Sequence, residues 1–397
     1  MKKMRKSLLI LAVLSCTVSF AQLPSAIEIA PMMYPGWNLG NTLEATGGET
    51  SWQETPTTQA LIDYVRQQGF RSVRIPCSWA IHCDAQGVID PSWMARVRQI
   101  VDYCIADGLY VVLNDHWDGG WIEVQGFSHS VDEFRPVDEA IIQAKTARLK
   151  ALWTQIAREF RDYDDHLLLA GLNEPFQQYN LFHDRHQELT PILLRYNQAF
   201  VDAVRATGGR NATRILICQG PSTSIASTTD PAVGFRMPSD PAGAGRLMVE
   251  VHYYEPWDFC GVEEGGKRFW GAERHVADSP YNCTWGEPGH PQAQFSRMKQ
   301  QFFDQGYPVI IGEYGANWRQ LGDHQSQHDA SITAWFRDVT LQAVQHGCVP
   351  MVWDINSPDQ QGDRGTMTII NRATLTIFCP WALQGIQEAV QSASWPQ

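Results

Sequence analysis

The chain has 397 residues, 44% of them hydrophobic, with 15 Trp, 12 Tyr and 16 Phe, enough to bury a substantial core and too much for a disordered or fibrous polypeptide. Its 31 Lys and Arg against 43 Asp and Glu give a formal charge of −12. Beyond the first six residues no basic stretch offers a face for phosphates, so nucleic acid is not an expected partner.

At the N-terminus Lys2, Lys3, Arg5 and Lys6 precede the apolar run Leu8 to Leu14, and Ser19-Phe20-Ala21 makes a small-x-small site before Gln22. That is the pattern of a secretory signal, and the run is shorter than the about 20 apolar residues of a membrane span. Val13-Leu14-Ser15-Cys16 also reads as a lipoprotein box that would lipidate Cys16, but the apolar sequence continuing to Ala21 favours cleavage there. Cleavage after Ala21 removes four positive charges and no negative ones, taking the charge from −12 to −16, which suits a neutral substrate better than a polyanion. The expectation is a signal over residues 1–21 and a single catalytic domain over 22–397, exported to the medium, periplasm or cell surface. No Pro/Ser linker, charge block or repeat divides the latter.

From there a rhythm sets in of short β-branched runs, each followed by a segment of helical periodicity. Strands are expected at Gly36 to Leu39, Ser72 to Ile75, Tyr110 to Leu113, Leu167 to Leu172, Ile215 to Cys218, Leu247 to Val251, Val309 to Gly312 and Val349 to Val352. Helices are expected at Thr57 to Gln68, Pro91 to Asp107, Asp138 to Arg161, Leu189 to Thr207, Gln292 to Gln305, Ser331 to His346 and Trp381 to Gln391. The gap between the fifth and sixth strands is loop-like. Eight strands alternating with helices predict an α/β fold, a parallel sheet closed into a (β/α)8 TIM barrel. An open doubly wound sheet is the alternative, but no GxGxxG or GxxxxGK follows any strand. Apart from Cys16, eight Cys remain, without CxxC or zinc-type spacing; eight permit 105 pairings. Cys260 and Cys283, flanking a Gly- and aromatic-rich stretch, are the first candidate disulfide, with buried thiols the alternative.

In such a barrel the reactive groups gather where strands end. There stand Asn38 and Asn41, Arg74, His116 with Trp117, Asn173 with Glu174, Gln219, His252 with Tyr254, Glu313 with Tyr314, and Trp353. Glu174 breaks the apolar run from Leu167 and Glu313 the run from Val309. Singly, each could be a solvated or ion-paired acid. Two on one face, beside Arg74, His116, His252 and Tyr254, fit a glycosidic bond cleaved between a protonating acid and an attacking or water-activating carboxylate. A metal-dependent hydrolase using His116, Asp118 and His252 lacks an HxH motif after the first strand and leaves both Glu idle. A silent sugar-binding barrel would need one Glu replaced. No cofactor or metal is therefore expected.

The sequence resembles glycoside hydrolase family 5, retaining endo-β-glycanases that include many bacterial cellulases. The resemblance rests on GWNLGNTLEA from Gly36, VRIP from Val73, VVLNDHWDGGW from Val111, LAGLNEP from Leu169, VEVHYY from Val249, VIIGEYGA from Val309 and VPMVWD from Val349, in order along the chain. It implies Glu174 as acid/base and Glu313 as nucleophile. Asn173 becomes a partner of the sugar 2-hydroxyl, Arg74 and Tyr254 hold the nucleophile, and His252 stands beside the acid/base. His116 and Asn41 match sugar contacts on the non-reducing side, and Trp353 the platform under the reacting ring. Trp117, like Trp121 and Trp257, is either a sugar contact or core packing. Many relatives carry His-His where this chain has His116-Trp117, and the loop after Trp353, leading from Asp354 to Arg372, departs from the family pattern. The implied substrate is a β-1,4-glucan polysaccharide, with xyloglucan, mixed-linkage glucan, xylan or mannan as alternatives.

Overall fold

The computed structural model describes residues 23–123, 138–176, 182–360 and 362–396. The expected signal, residues 1–21, lies outside them. Eight parallel strands close into a barrel: β1 Gly36–Asn38, β2 Ser72–Ile75, β3 Tyr110–Asn114, β4 Leu167–Ala170, β5 Leu216–Ser224, β6 Leu247–Tyr253, β7 Val309–Tyr314 and β8 Cys348–Val352. Gly36 pairs with Ser72 on one side and Met351 on the other, which closes the ring.

Strand periodicity sorts the side chains. Val111, Leu113, Leu167, Leu169, Val249 and Val251 point outward into the large core shared with the helices. Val112, Leu168, Ile217, Met248, Ile310 and Val349 point inward and form a separate apolar layer. That layer is sealed from below by helix α1, Ala26–Ile29, and the turn after it, whose Ala26, Ile29 and Met33 join the inner cluster. One step of the alternation higher, the interior turns polar: Asn38, Arg74, Asn114, Gln219 and Glu250 are buried there. The apolar layer is thus a floor on which a polar site is built.

Around the barrel run α2 Gln59–Gln67, α3 Pro91–Ala106, α4 Glu139–Glu159, α5 Phe182–Ala206, α6 Ile225–Thr229, α7 Trp257–Cys260, α8 His290–Gln301, α9 Gln325–Gln345 and α10 Pro380–Ser392. Thr58, Asp90 and Asp138 cap α2, α3 and α4 by accepting from backbone N–H groups of their first turns. Helix α5 begins before the expected Leu189, bends at Arg185 and holds Pro191 in its interior. The short α6 fills the gap that the sequence leaves loop-like. A small hairpin, β9 Ile370–Asn371 with β10 Thr376–Ile377, ends the last loop. Cys260 and Cys283 are not bonded to each other: all eight described cysteines are free thiols, and most are buried as small apolar residues.

One irregularity aims a functional side chain. Strict alternation after the inward Ile310 and Gly312 would turn Glu313 outward. The β6–β7 register shifts between Val251 and His252, so that His252 pairs with Glu313. This bulge brings the carboxylate over the barrel axis.

Candidate active site

Glu174 follows β4, Glu313 ends β7 and His252 stands near the end of β6, and these three groups meet. His252 Nδ1 lies 2.7 Å from Glu174 Oε1 and 3.6 Å from Glu313 Oε2. One donor atom from each of the three falls within 4.8 Å of the others. Arg74 Nη1 donates to Glu313 Oε1 at 2.9 Å and to Asn38 Oδ1 at 3.0 Å, and its Nη2 donates to Asn173 Oδ1 at 2.6 Å. Tyr254 donates its hydroxyl to Glu313 Oε2 at 2.8 Å. Asn38 is fixed in turn by donating to the carbonyls of Gly312 and Met351 at 2.8 and 3.1 Å.

The two carboxylates therefore differ. Glu313 has a guanidinium on one oxygen and a phenol on the other, both stabilising its anion. Glu174 lies in a buried setting that raises its pKa; the hydrogen bond from His252 opposes this and the nearby Glu313 charge adds to it. Burial lowers the affinity of His252 for a proton, but Glu313, Glu174 and Glu250 outweigh it and carry the pKa up to about 9. Burial holds Tyr254 well above the ordinary phenol range, so it stays a donor. Burial, with Arg74 and His252 nearby, pushes His116 well below the usual imidazole value, so it is neutral.

The remaining predicted residues surround this pair. His116 bonds through Nδ1 to Asn114 at 3.2 Å and stacks on Trp353, ring centroids 5.9 Å apart and 7° from parallel. Asn41 adopts a left-handed φ of +55°, and Glu44 accepts from its N–H and from that of Thr42. Gly40 admits the β8 chain: a Cβ there would stand 2.7 Å from the Asp354 carbonyl. A cavity of about 250 Å³ beside Glu174 is lined by Trp52, His116, Trp117, Glu123 and Asn173. Trp117 is exposed at that rim and Trp257 at the side of Tyr254, whereas Trp121 packs against the core and under Arg148.

Asp118 does not join the site. It accepts from the N–H groups of Trp79, Ala80 and Ile81 instead, so a cluster of His116, Asp118 and His252 does not form. Two buried features escape the reading of strand ends. Glu250 lies inside the β6 run, detectable only as a charged residue two places before His252. Arg372, in the departing last loop, donates to the Gly40 carbonyl at 2.9 Å, Thr42 Oγ1 at 2.8 Å and the Asp354 carbonyl at 2.6 Å. Asp354 also accepts from Trp37 Nε1 at 2.9 Å. The last loop thus supplies a clamp that joins the ends of β1 and β8.

Two adjacent carboxylates of unlike environment, at the C-terminal mouth of a parallel barrel and rimmed by indole faces, define a glycoside hydrolase on a (β/α)8 scaffold. The family model for cellulase (glycosyl hydrolase family 5) matches residues 38–359. The chain belongs to glycosyl hydrolase family 5. It is 52% identical to a xyloglucan-specific β-1,4-glucanase from a ruminal metagenomic library, solved in complex with XXLG, with a TM-score of 0.88 over 94% of this chain and 98% of that one. A Bacteroides ovatus xyloglucanase in complex with a XXXG heptasaccharide is 32% identical, with a TM-score of 0.82 over 93% of this chain and 77% of that one. Endoglucanase A of Paenibacillus barcinonensis is 33% identical over 92% of this chain and 90% of its own length.

Proposed function

We propose that the chain is a secreted, retaining endo-β-1,4-glucanase that cleaves internal bonds of a β-glucan by double displacement. The observation that carries this is the carboxylate pair: oxygens of Glu174 and Glu313 within 4.8 Å match the close spacing of direct attack, about 5–5.5 Å, and not the wider gap that accommodates a water. Glu313, its two oxygens accepting from Arg74 and Tyr254, attacks the anomeric carbon while Glu174 gives its proton to the departing glycosidic oxygen. A glycosyl ester on Glu313 results. Glu174, now a carboxylate, takes a proton from water as that water attacks the same carbon, and Glu313 is released. Asn173 has its Oδ1 occupied by Arg74, which turns its amide N–H toward the sugar 2-hydroxyl. Trp353 lies under the reacting ring, with His116 and Asn41 on the non-reducing side and Trp117 at the rim.

Within this reading a xyloglucan backbone is the second candidate, favoured by the 52% identity to a xyloglucan-specific enzyme. The test is a panel of cellulosic, xyloglucan, mixed-linkage, xylan and mannan polysaccharides, with viscosity and early proton NMR of the products. Rapid viscosity loss on β-1,4-glucans with the β-anomer appearing first is expected. Single sugars released from chain ends, or an α-anomer first, would reject the proposal, and the preferred glucan ranks linear against branched backbones.

A further inference from the structure

Below the catalytic pair the barrel holds a third carboxylate that no step of double displacement uses. Glu250 lies on β6 two residues before His252, so both side chains enter the barrel, and it is wholly buried. Its Oε1 stands 2.9 Å from Arg74 Nε, an ion pair outside hydrogen-bond alignment, and 3.3 Å from His252 Nε2. Its Oε2 accepts from Gln219 Nε2 at 2.6 Å. The neighbouring strand makes room for it: a Cβ on Gly312 would lie 1.9 Å from Glu250 Oε1. An ionised group this deep persists only when paired. Both of its charged partners reach up to reacting groups, Arg74 to Glu313 at 2.9 Å and His252 to Glu174 at 2.7 Å.

We propose that Glu250 is a positioning residue for the reaction: it fixes the Arg74 guanidinium and the His252 imidazolium from below, and so sets the charge state in which Glu174 carries its proton. This rests on the reading that Glu174 and Glu313 do the chemistry. With Glu174 protonated, Arg74 and His252 balance Glu250 and Glu313. The other polar groups of this layer add no charge: Asn38 on Arg74 and Gln219 on Glu250 are amides, His116 is neutral and Tyr254 keeps its proton. Take away the Glu250 charge and two cations face one anion. The imidazolium is the partner that can yield its proton, since a guanidinium cannot. His252 then no longer donates from both nitrogens, and its ring is free to turn away from Glu174. The remaining anions favour a high His252 pKa, and Glu250 is one of the three that carry it to about 9.

The test combines an NMR titration of the His252 ring with pH profiles of kcat and kcat/KM on soluble β-glucan, for the full chain and Glu250→Gln. In the native chain His252 should be protonated at both nitrogens at pH 7. In Glu250→Gln its midpoint should fall by about one pH unit or more. Loss of an anion loosens the proton on the Glu174–His252 pair, so the basic limb of kcat should move to lower pH. The value of kcat should drop about tenfold with KM nearly unchanged, because Glu250 touches no sugar. Glu250→Asp, which keeps the charge on a shorter stem, should recover part of the midpoint. A variant that loses stability while its titration and profile overlie those of the native chain overturns the proposal. So does a native His252 that is neutral at pH 7, a result that needs no folded variant. A native chain inactive on every β-glucan rejects the activity reading, and the His252 titration then decides the role of Glu250 alone.

Discussion

At the scale of residues, two glutamates of one chemical type acquire unlike surroundings from their partners. Arg74 and Tyr254 stabilise charge on Glu313, while burial and that charge disfavour it on Glu174. If Glu174 is the proton donor, Glu174→Ala should cost a natural glycan about 10²–10⁴-fold in kcat, the usual contribution of general acid catalysis. An aryl glycoside with a good leaving group needs little protonation, so its first step should be nearly spared. Equal losses on both substrates would contradict the assignment. Much of this site is legible in the sequence. Glu174, Glu313, Arg74 and His252 each interrupt an apolar strand at its end, where a polar side chain must face the barrel mouth. Glu250 is not legible that way. It sits within an apolar run, and only the pairing by Arg74, His252 and Gln219 explains how a carboxylate stays there.

At the scale of elements, the strands were readable because each is a short apolar run bounded by polar residues. The bulge that turns Glu313 inward was not, since it is a matter of register between β6 and β7. Nor was the last loop, whose Arg372 joins the end of β1 to the end of β8. Arg372 and Asp354 are both buried, with an Arg372 nitrogen 3.8 Å from Asp354 Oδ1. Arg372→Ala leaves that carboxylate its neutral donors, Trp37 Nε1 and the N–H groups of Asn356 and Ile370, but removes its cation and frees the carbonyls of Gly40 and Asp354. Breaking a buried pair from one side costs about 3–5 kcal/mol, and urea unfolding should show a loss of that size. Arg372→Lys should recover little, since one ammonium cannot reproduce the spread of donors on a guanidinium. A loss below about 1 kcal/mol for Arg372→Ala would mean that the clamp is not structural.

At the scale of the whole molecule, an apolar floor and a charged upper layer share one barrel, so stability depends on the protonation of the site. Sign follows from His252. Its pKa is about 9 in the folded chain against an ordinary 6.5. The folded state therefore binds more protons than the unfolded one between those values. The stabilisation from His252 is complete below about pH 6.5 and is lost as pH rises through 9. Glu44 and Glu123, each held up to about 7 by burial, are half titrated at pH 7 and add to the fall up to about pH 8, above which neither contributes. The melting temperature should fall steadily between pH 7 and 9, as calorimetry at matched ionic strength would show. A flat or rising curve would mean that His252 is not an imidazolium in the folded chain.

If Glu313 forms a covalent bond to the sugar while Glu174 supplies the proton, the bonded state can be trapped. A 2-deoxy-2-fluoro β-cellobioside with an activated leaving group slows breakdown of the intermediate and leaves the sugar on the residue that attacked. Peptide mapping of the inactivated chain should find one added glycosyl group, on the peptide carrying Glu313 and on that side chain. A label on Glu174, Glu250 or any other carboxylate would contradict the assignment, and turnover without any trapped ester would contradict double displacement itself.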